Sequence, residues 1–332
     1  MPVGTGSIGE CAAEQYVPLV ADTIVTRAPT RIDFGGGWTD VPPYSDEMGG
    51  YVCNVAINRY VTVTIGHAAA SSLNPSERVV VDAAARRLNC SVGNVHIASD
   101  FPIGAGLGGS SAAGVAVLSA MCAATDSPLS RDELAELSRD IEVADLGVSG
   151  GRQDHYAAAY GGALGLRFGA NGVVVDPIAL SPRVRDALER RCIIIYTGQS
   201  RISGDTIEGV LGAYRAREPR VVGALQRMKE LAESMTDALR REDVDELGAL
   251  VGEQWQHQRS LHPAIPTERI DAIIATAART GAIGSKALGA SGGGCVLVIS
   301  AEGREAELRE VLAPLGELLP FAIDLTGAAR CR

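Results

Sequence analysis

The chain has 332 residues, a formal net charge of −10, 46% hydrophobic and 21% charged residues. That balance is globular, and the acidic surplus argues against a broad nucleic-acid or anionic-membrane surface. Seven Cys stand singly with no CxxC pair, so the composition gives no sign of a metal framework or disulfide scaffold and fits reduced thiols in the cytoplasm.

Residues 1–22 include Glu10 and Glu14 and lack the basic start and apolar run of a secretory signal. They read as a disordered leader. No apolar stretch reaches the ~18 residues of a membrane span, so a soluble cytoplasmic protein is expected. Thr23–Ala28 and Val61–Ile65 alternate and are rich in β-branched residues, which predicts strands. Val95–Ala98 is a further short strand. The run PIGAGLGGSSAAGVAVLSAMCAAT follows; its second half is small and apolar on all sides and predicts a buried helix. Ser130 with Glu133 has the spacing of a capping box and predicts a helix through about Ala144. Ser181-Pro182 opens another helix before the apolar strand Cys192–Tyr196.

The second half is mainly helical. Val221, Leu225, Met228, Leu231, Met235 and Leu239 recur every three or four residues. Asp243 with Glu246 caps a helix through about Trp255, and another runs from Thr267 to Thr280. KALGASGGG leads into the strand Cys295–Ser300. A helix over Arg304–Leu312 and a short strand over Phe321–Ile323 close the chain. A boundary near residue 190 would divide the body into domains 23–190 and 191–332.

Four segments carry chemistry. Gly104, Gly106 and Gly109 match GxGxxG, but the region ~20 residues on has neither a second strand nor its terminal acid, so a dinucleotide fingerprint fails. No Gly-Lys-Ser/Thr follows, so a P-loop fails as well. What remains is a glycine loop, residues Gly104, Ala105, Gly106, Leu107, Gly108, Gly109, Ser110 and Ser111, feeding a helix N-terminus. Its free N–H groups and positive dipole end suit a polyphosphate, and the Ser110 hydroxyl could face Mg²⁺. In RAPTRIDFGGGWTD, residues 27–40, glycines allow close approach of a ligand and Asp40 can accept hydrogen bonds from hydroxyls. KALGASGGGC, residues 286–295, is a third glycine loop. In SGGRQDHYAAAYGG, Asp154 follows a Gly pair at a helix start. A carboxylate there can orient the proton of an attacking hydroxyl if it lies beside a phosphate.

In order and spacing, these segments resemble the motifs of the GHMP kinase superfamily, named for galactokinase, homoserine kinase, mevalonate kinase and phosphomevalonate kinase. The resemblance implies a two-domain α+β fold, with a ribosomal-protein-S5-domain-2-like first domain, a ferredoxin-like second domain and the site in the cleft between them. It implies ATP and Mg²⁺ as cofactors, Asp154 as catalytic residue with Arg31 beside it, and Ser110 and Glu142 as metal ligands. Gly37, Trp38, Thr39, Asp40, Gly150, Gly151, Asp154 and Gly292 would line the sugar. Gly109 stands where Ser is common, Ser291 interrupts the third glycine run, and Gly37-Trp38 replaces the Glu-His of galactokinases.

Finer likeness divides between two groups that phosphorylate the anomeric hydroxyl. GGWTDVPPYS resembles the kinase half of L-fucokinases. GGRQDHYAAAYGG, YTGQSR and the Lys286 loop resemble D-glycero-D-manno-heptose 7-phosphate kinases, and the balance favours these. Arg201 would then bind the distal phosphate of the sugar. The implied partners are a sugar or sugar phosphate, with no nucleic acid and no membrane, for a monomer or homodimer. A non-catalytic sensor on the same fold would have lost Asp154, Glu142 or Ser110, and all three are present. The five His show no ligand spacing; His155 reads as a helix-surface residue beside the site, and Trp255 as core.

Overall fold

The computed structural model describes residues 23–66, 73–91, 93–148, 150–199 and 204–331. In chain order the strands are β1 (Ile24–Gly35), β2 (Gly50–Ile65), β3 (Val95–Ser99), β4 (Ala163–Gly169), β5 (Gly172–Ile178), β6 (Cys192–Tyr196), β7 (Ala282–Ala287), β8 (Cys295–Ser300), β9 (Glu317–Leu318) and β10 (Ala329–Arg330). The helices are α1 (Tyr44–Met48), α2 (Pro75–Arg87), α3 (Gly109–Thr125), α4 (Arg131–Asp140), α5 (Gln153–Tyr160), α6 (Pro182–Arg191), α7 (Gly204–Arg215), α8 (Pro219–Arg240), α9 (Val244–Ser260), α10 (Glu268–Arg279) and α11 (Glu305–Leu312).

Two antiparallel sheets organise the described residues. The first runs β10-β1-β2-β4-β5, with β3 also paired to β2. The long β2 holds β1 along one edge, and β4 and β3 in succession along the other. The second sheet runs β7-β8-β6-β9 and begins just past residue 190. The chain then returns, because β10 pairs with β1.

The predicted caps explain where several helices start. Ser130 and Glu133 form the reciprocal box at α4, Ser181 accepts from the Val184 N–H at α6, and Thr267 accepts from the Ile270 N–H at α10. Each satisfies an orphan donor of a first turn. The box also opens α2, at Asn74 and Glu77. The expected strand at Phe321–Ile323 is not formed. Ile323 makes one isolated bridge to Ile57, while Leu319 donates to Ile194 O beside the short β9.

Helix α3 is buried along most of its length, with Val115, Val117, Leu118 and Met121 in one cluster with Val61, Val63 and Phe168 of the first sheet. On the other side, α8 joins the lobes. Leu231, Ala232 and Met235 share a cluster with Ile32, Phe34 and Cys53 of the first sheet and Ile194, Leu297 and Ile299 of the second. One apolar core therefore runs through both lobes.

The glycine run after β1 is explained by this packing. A Cβ on Gly35 would collide with the Met235 sulfur of α8, and one on Gly36 would collide first with Tyr51 O of β2 and then lie 2.8 Å from Ala232 Cβ. Two of the three glycines are thus required by close packing of the chain on itself.

Candidate active site

Three chain segments hold the first glycine loop in place. The Arg31 N–H of β1 donates to Leu107 O at 3.1 Å, and Cys295 N–H donates to Ala105 O at 2.8 Å. A Cβ on Gly106 would stand 2.7 Å from Leu288 O, and one on Gly289 3.0 Å from Gly106 Cα. The third glycine run is therefore a backbone cradle for the first. Gly292 itself donates to Ile265 O, and from this run it is Gly289 and Ala290 that line the cleft. Ser291, at φ +67°, is held by Gln258, whose side-chain amide donates to its hydroxyl at 3.0 Å.

The loop opens onto a cleft of about 900 Å³. Gly108 precedes α3 in the left-handed region, φ +80°, with no side chain capping the helix. The first-turn amides of α3 are thus free of a side-chain acceptor, and the dipole end faces the cleft wall formed by Gly108, Gly109, Ser110 and Ser111. Gly109 has a reason beyond the loss of a hydroxyl: a Cβ there would lie 2.7 Å from the Phe101 ring.

Asp154 stands in the first turn of α5 and meets this loop directly. A Cβ on Gly108 would be 3.0 Å from its carboxylate. Arg31 grips the same carboxylate with two nitrogens, Nε to Oδ1 at 2.8 Å and Nη2 to Oδ2 at 3.0 Å, and spends Nη1 on Gly106 O at 2.7 Å. This bidentate pair is geometrically rigid. The Asp154 pKa is nevertheless raised, because burial outweighs the attraction of Arg31 and His155, and Glu142 and Asp33 add repulsion. The side chain remains 24% exposed toward the cleft.

Glu142 lies in a π-helical turn, Ile141–Asp145, that continues α4; Leu146 N–H reaches back five residues to Ile141 O. Such turns commonly re-aim a functional side chain. Here Glu142 Oε1 accepts from the Ser110 hydroxyl at 2.7 Å. Burial pushes the Glu142 pKa up, but His155 and the hydroxyls of Ser110 and Ser111 together bring it below the ordinary value.

On the side of the loop after β1, Gly37, Trp38, Asp40, Gly150, Gly151 and Gln153 line the cleft. Asp40 Oδ2 accepts from the Gln153 N–H at 3.0 Å, and a Cβ on Gly151 would collide with this carboxylate. Burial, with repulsion from Asp154 and Asp33, pushes the Asp40 pKa up to about 6 despite the Gln153 hydrogen bond. The Thr39 hydroxyl donates to Gly36 O and meets the main chain of Tyr51, so it fastens the loop. Trp38 takes φ +80° and packs between the cleft and a cluster with Tyr44 and Ile193. Arg201 lies outside the described residues.

Two features escaped the sequence reading. His155 is fully buried rather than on a helix surface. Lys286 of β7, also fully buried, pairs with Asp33 of β1 at 3.0 Å and donates to Asp33 O at 2.9 Å. A charged residue in an otherwise apolar strand was the signal for Lys286; for His155, the four-residue helical spacing to its neighbours gave none.

The chain matches the family model GHMP kinases N terminal domain over residues 77–162 and GHMP kinases C terminal over residues 235–315. It is 31% identical over 305 residues to the D-glycero-alpha-D-manno-heptose 7-phosphate kinase of Campylobacter jejuni, covering 82% of this chain and 88% of the relative. The chain belongs to the GHMP kinases. It is accordingly an ATP-dependent kinase that phosphorylates an alcohol. It is also 28% identical over 327 residues to the bifunctional fucokinase/GDP-fucose pyrophosphorylase of Arabidopsis thaliana, covering 86% of this chain but 30% of that protein. Among solved structures, a D-glycero-D-manno-heptose 1-phosphate kinase from Bacteroides thetaiotaomicron superposes with TM-score 0.74 at 26% identity, over 93% of this chain and 99% of that one. The two-domain GHMP kinase fold is thereby shown.

GHMP kinases use ATP and Mg²⁺, and the donor set fits both. The uncapped α3 terminus suits phosphate oxygens. The paired Ser110 hydroxyl and Glu142 carboxylate are hard oxygen donors. Mg²⁺ commonly takes one or two protein carboxylates and completes its shell with phosphate and water.

Proposed function

We propose that this GHMP kinase transfers the γ-phosphoryl group of ATP to the anomeric hydroxyl of D-glycero-D-manno-heptose 7-phosphate, giving the 1,7-bisphosphate. The observation that carries the reading is the Asp154 carboxylate, gripped by Arg31 and set against Gly108 of the glycine loop. It supports the reading by setting a proton acceptor beside the glycine loop that, in this proposal, holds the triphosphate.

In this reading the Gly104–Ser111 segment holds the phosphates of ATP, and Ser110 and Glu142 hold Mg²⁺, which would offset charge on the phosphate oxygens. Asp154 accepts the hydrogen bond of the attacking hydroxyl and aims its oxygen in line. Arg31 keeps that carboxylate in one orientation and lends positive charge to the reacting end of the cleft. Asp40, Gly37, Gly150 and Gly151 position the sugar, and Asp40 accepts from its hydroxyls. Trp38 forms the wall behind it. Arg201 is assigned to the distal phosphate, as a charge-assisted partner.

The identity to the Campylobacter jejuni enzyme over most of both chains supports the heptose phosphate. The GGWTDVPPYS segment and the Arabidopsis thaliana relative support L-fucose as a second reading. A panel of sugars assayed with ATP and Mg²⁺ separates them. Heptose 7-phosphate should exceed L-fucose and other free sugars by about 10²-fold or more in kcat/KM, because an Arg that binds a phosphate discriminates strongly against its absence. A preference for L-fucose would overturn the assignment. With Arg201→Ala, affinity for the phosphorylated sugar should fall far more than affinity for its unphosphorylated analogue; equal losses would remove Arg201 from the site.

A further inference from the structure

Glu142 is held from both sides. Its Oε1 takes the Ser110 hydroxyl, while Oε2 lies 2.9 Å from His155 Nε2. The opposite ring nitrogen, Nδ1, lies 2.9 Å from the Ser138 hydroxyl of α4. The His155 side chain is 0% exposed, and Glu142 only 15%. A carboxylate oxygen has no proton to offer, so Nε2 carries one and donates to Glu142. The other ring nitrogen shares a hydrogen bond with the Ser138 hydroxyl. Ser138 itself is pinned between helices: a Cβ on Gly114 of α3 would collide with its hydroxyl.

We propose that His155 is a positioning residue that fixes the rotamer of Glu142 and so presents Oε1, together with the Ser110 hydroxyl, as a preformed pair of oxygen donors for the metal. The inference rests on the metal assignment made above. Glu142 has three rotatable bonds and, unheld, would sweep the cleft. One hydrogen bond from a buried ring that is itself held by Ser138 removes that freedom, which is how outer partners of metal ligands commonly raise affinity. Position in the chain adds a consequence. Asp154 and His155 are consecutive in the first turn of α5, so a single rigid turn sets the carboxylate facing the acceptor hydroxyl and the carboxylate facing the metal at a constant separation.

The test is ATP binding by calorimetry at graded MgCl₂, read as the Mg²⁺ midpoint. His155→Leu should raise the midpoint about 10-fold or more, the usual cost of losing such a partner, with metal-free ATP binding unchanged. His155→Gln, whose longer amide can still donate to Glu142, should stay near the parent protein. His155→Asn, whose amide reaches Ser138 but not Glu142, should behave like Leu, and this polar pair carries the comparison if the Leu variant does not fold. Ser138→Ala should move the midpoint in the same direction. Equal midpoints in the Gln and Asn variants, or an unmoved midpoint in Ser138→Ala and His155→Leu, would overturn the positioning role. An unmoved midpoint in Glu142→Gln would instead overturn the metal assignment beneath it.

Discussion

Asp154 sits between opposing influences: a low-dielectric pocket that favours its neutral form and a guanidinium that favours its charge. Burial prevails, so its pKa lies above the ordinary 3.8. A group needed as an acceptor is lost as pH falls through its own pKa, so the acid limb of kcat/KM should lie above that ordinary value and should shift if Arg31 is replaced. Asp154→Asn should lower kcat by about 10²–10⁴-fold while ATP still binds; near-parental turnover would remove Asp154 from the chemistry.

Asp40 makes a second, independent prediction. Its pKa rises from 3.8 to about 6 on folding, so between these values the native state holds more proton than the unfolded chain. Stability is then fully present below the unfolded pKa and declines as pH rises through about 6, with a loss of up to about 3 kcal/mol for a shift of this size. Asp40→Asn should remove that decline and raise the melting temperature at pH 8, while weakening sugar binding. A variant with the parent's pH–stability profile would contradict the burial argument.

The glycine motifs show how much could be read before the fold was known. The loop at residues 104–111, the helix it feeds and Asp154 at a helix start were all legible, because phosphate loops demand a fixed backbone chemistry. The division of labour among the glycines was not. Gly35 admits α8, Gly36 admits the Tyr51 carbonyl of β2, and the 286–295 loop braces the first loop from behind, contacts that exist only after residues apart in sequence meet. The same limit hid His155, whose partners come from α4 and its π-helical turn. Gly108 joins both levels. At φ +80° an added Cβ is strained by about 1–2 kcal/mol, and it would press on the Asp154 carboxylate. Gly108→Ala should therefore reduce kcat well beyond its effect on melting temperature. Equal kcat in a variant that retains structure would show that Asp154 tolerates displacement from the loop.

The lobes are tied by one apolar core and by one buried ion pair. Lys286 and Asp33 come from different sheets, and the Asp33 side chain is only 3% exposed. Lys286→Met should destabilise by about 3–5 kcal/mol, because it strands a buried carboxylate, whereas Lys286→Met combined with Asp33→Leu should recover much of that loss. Denaturant titration of both variants checks this; a double variant no more stable than the single one would show that the pair does more than neutralise itself. The apolar strand Cys192–Tyr196, which joins the second sheet, was legible in its run of β-branched residues. The return of β10 to the first sheet was not, since a two-residue strand leaves no pattern.

The arrangement of the whole molecule serves one geometric claim, that the glycine loop and Asp154 converge on the terminal phosphate. A crystal structure with Mg²⁺ and a non-hydrolysable ATP analogue tests it. The γ-phosphorus is expected within about 6 Å of the Asp154 carboxylate, the span of one hydrogen bond plus an in-line attack distance. A γ-phosphate directed away from Asp154, with no room for the sugar hydroxyl between them, would contradict it.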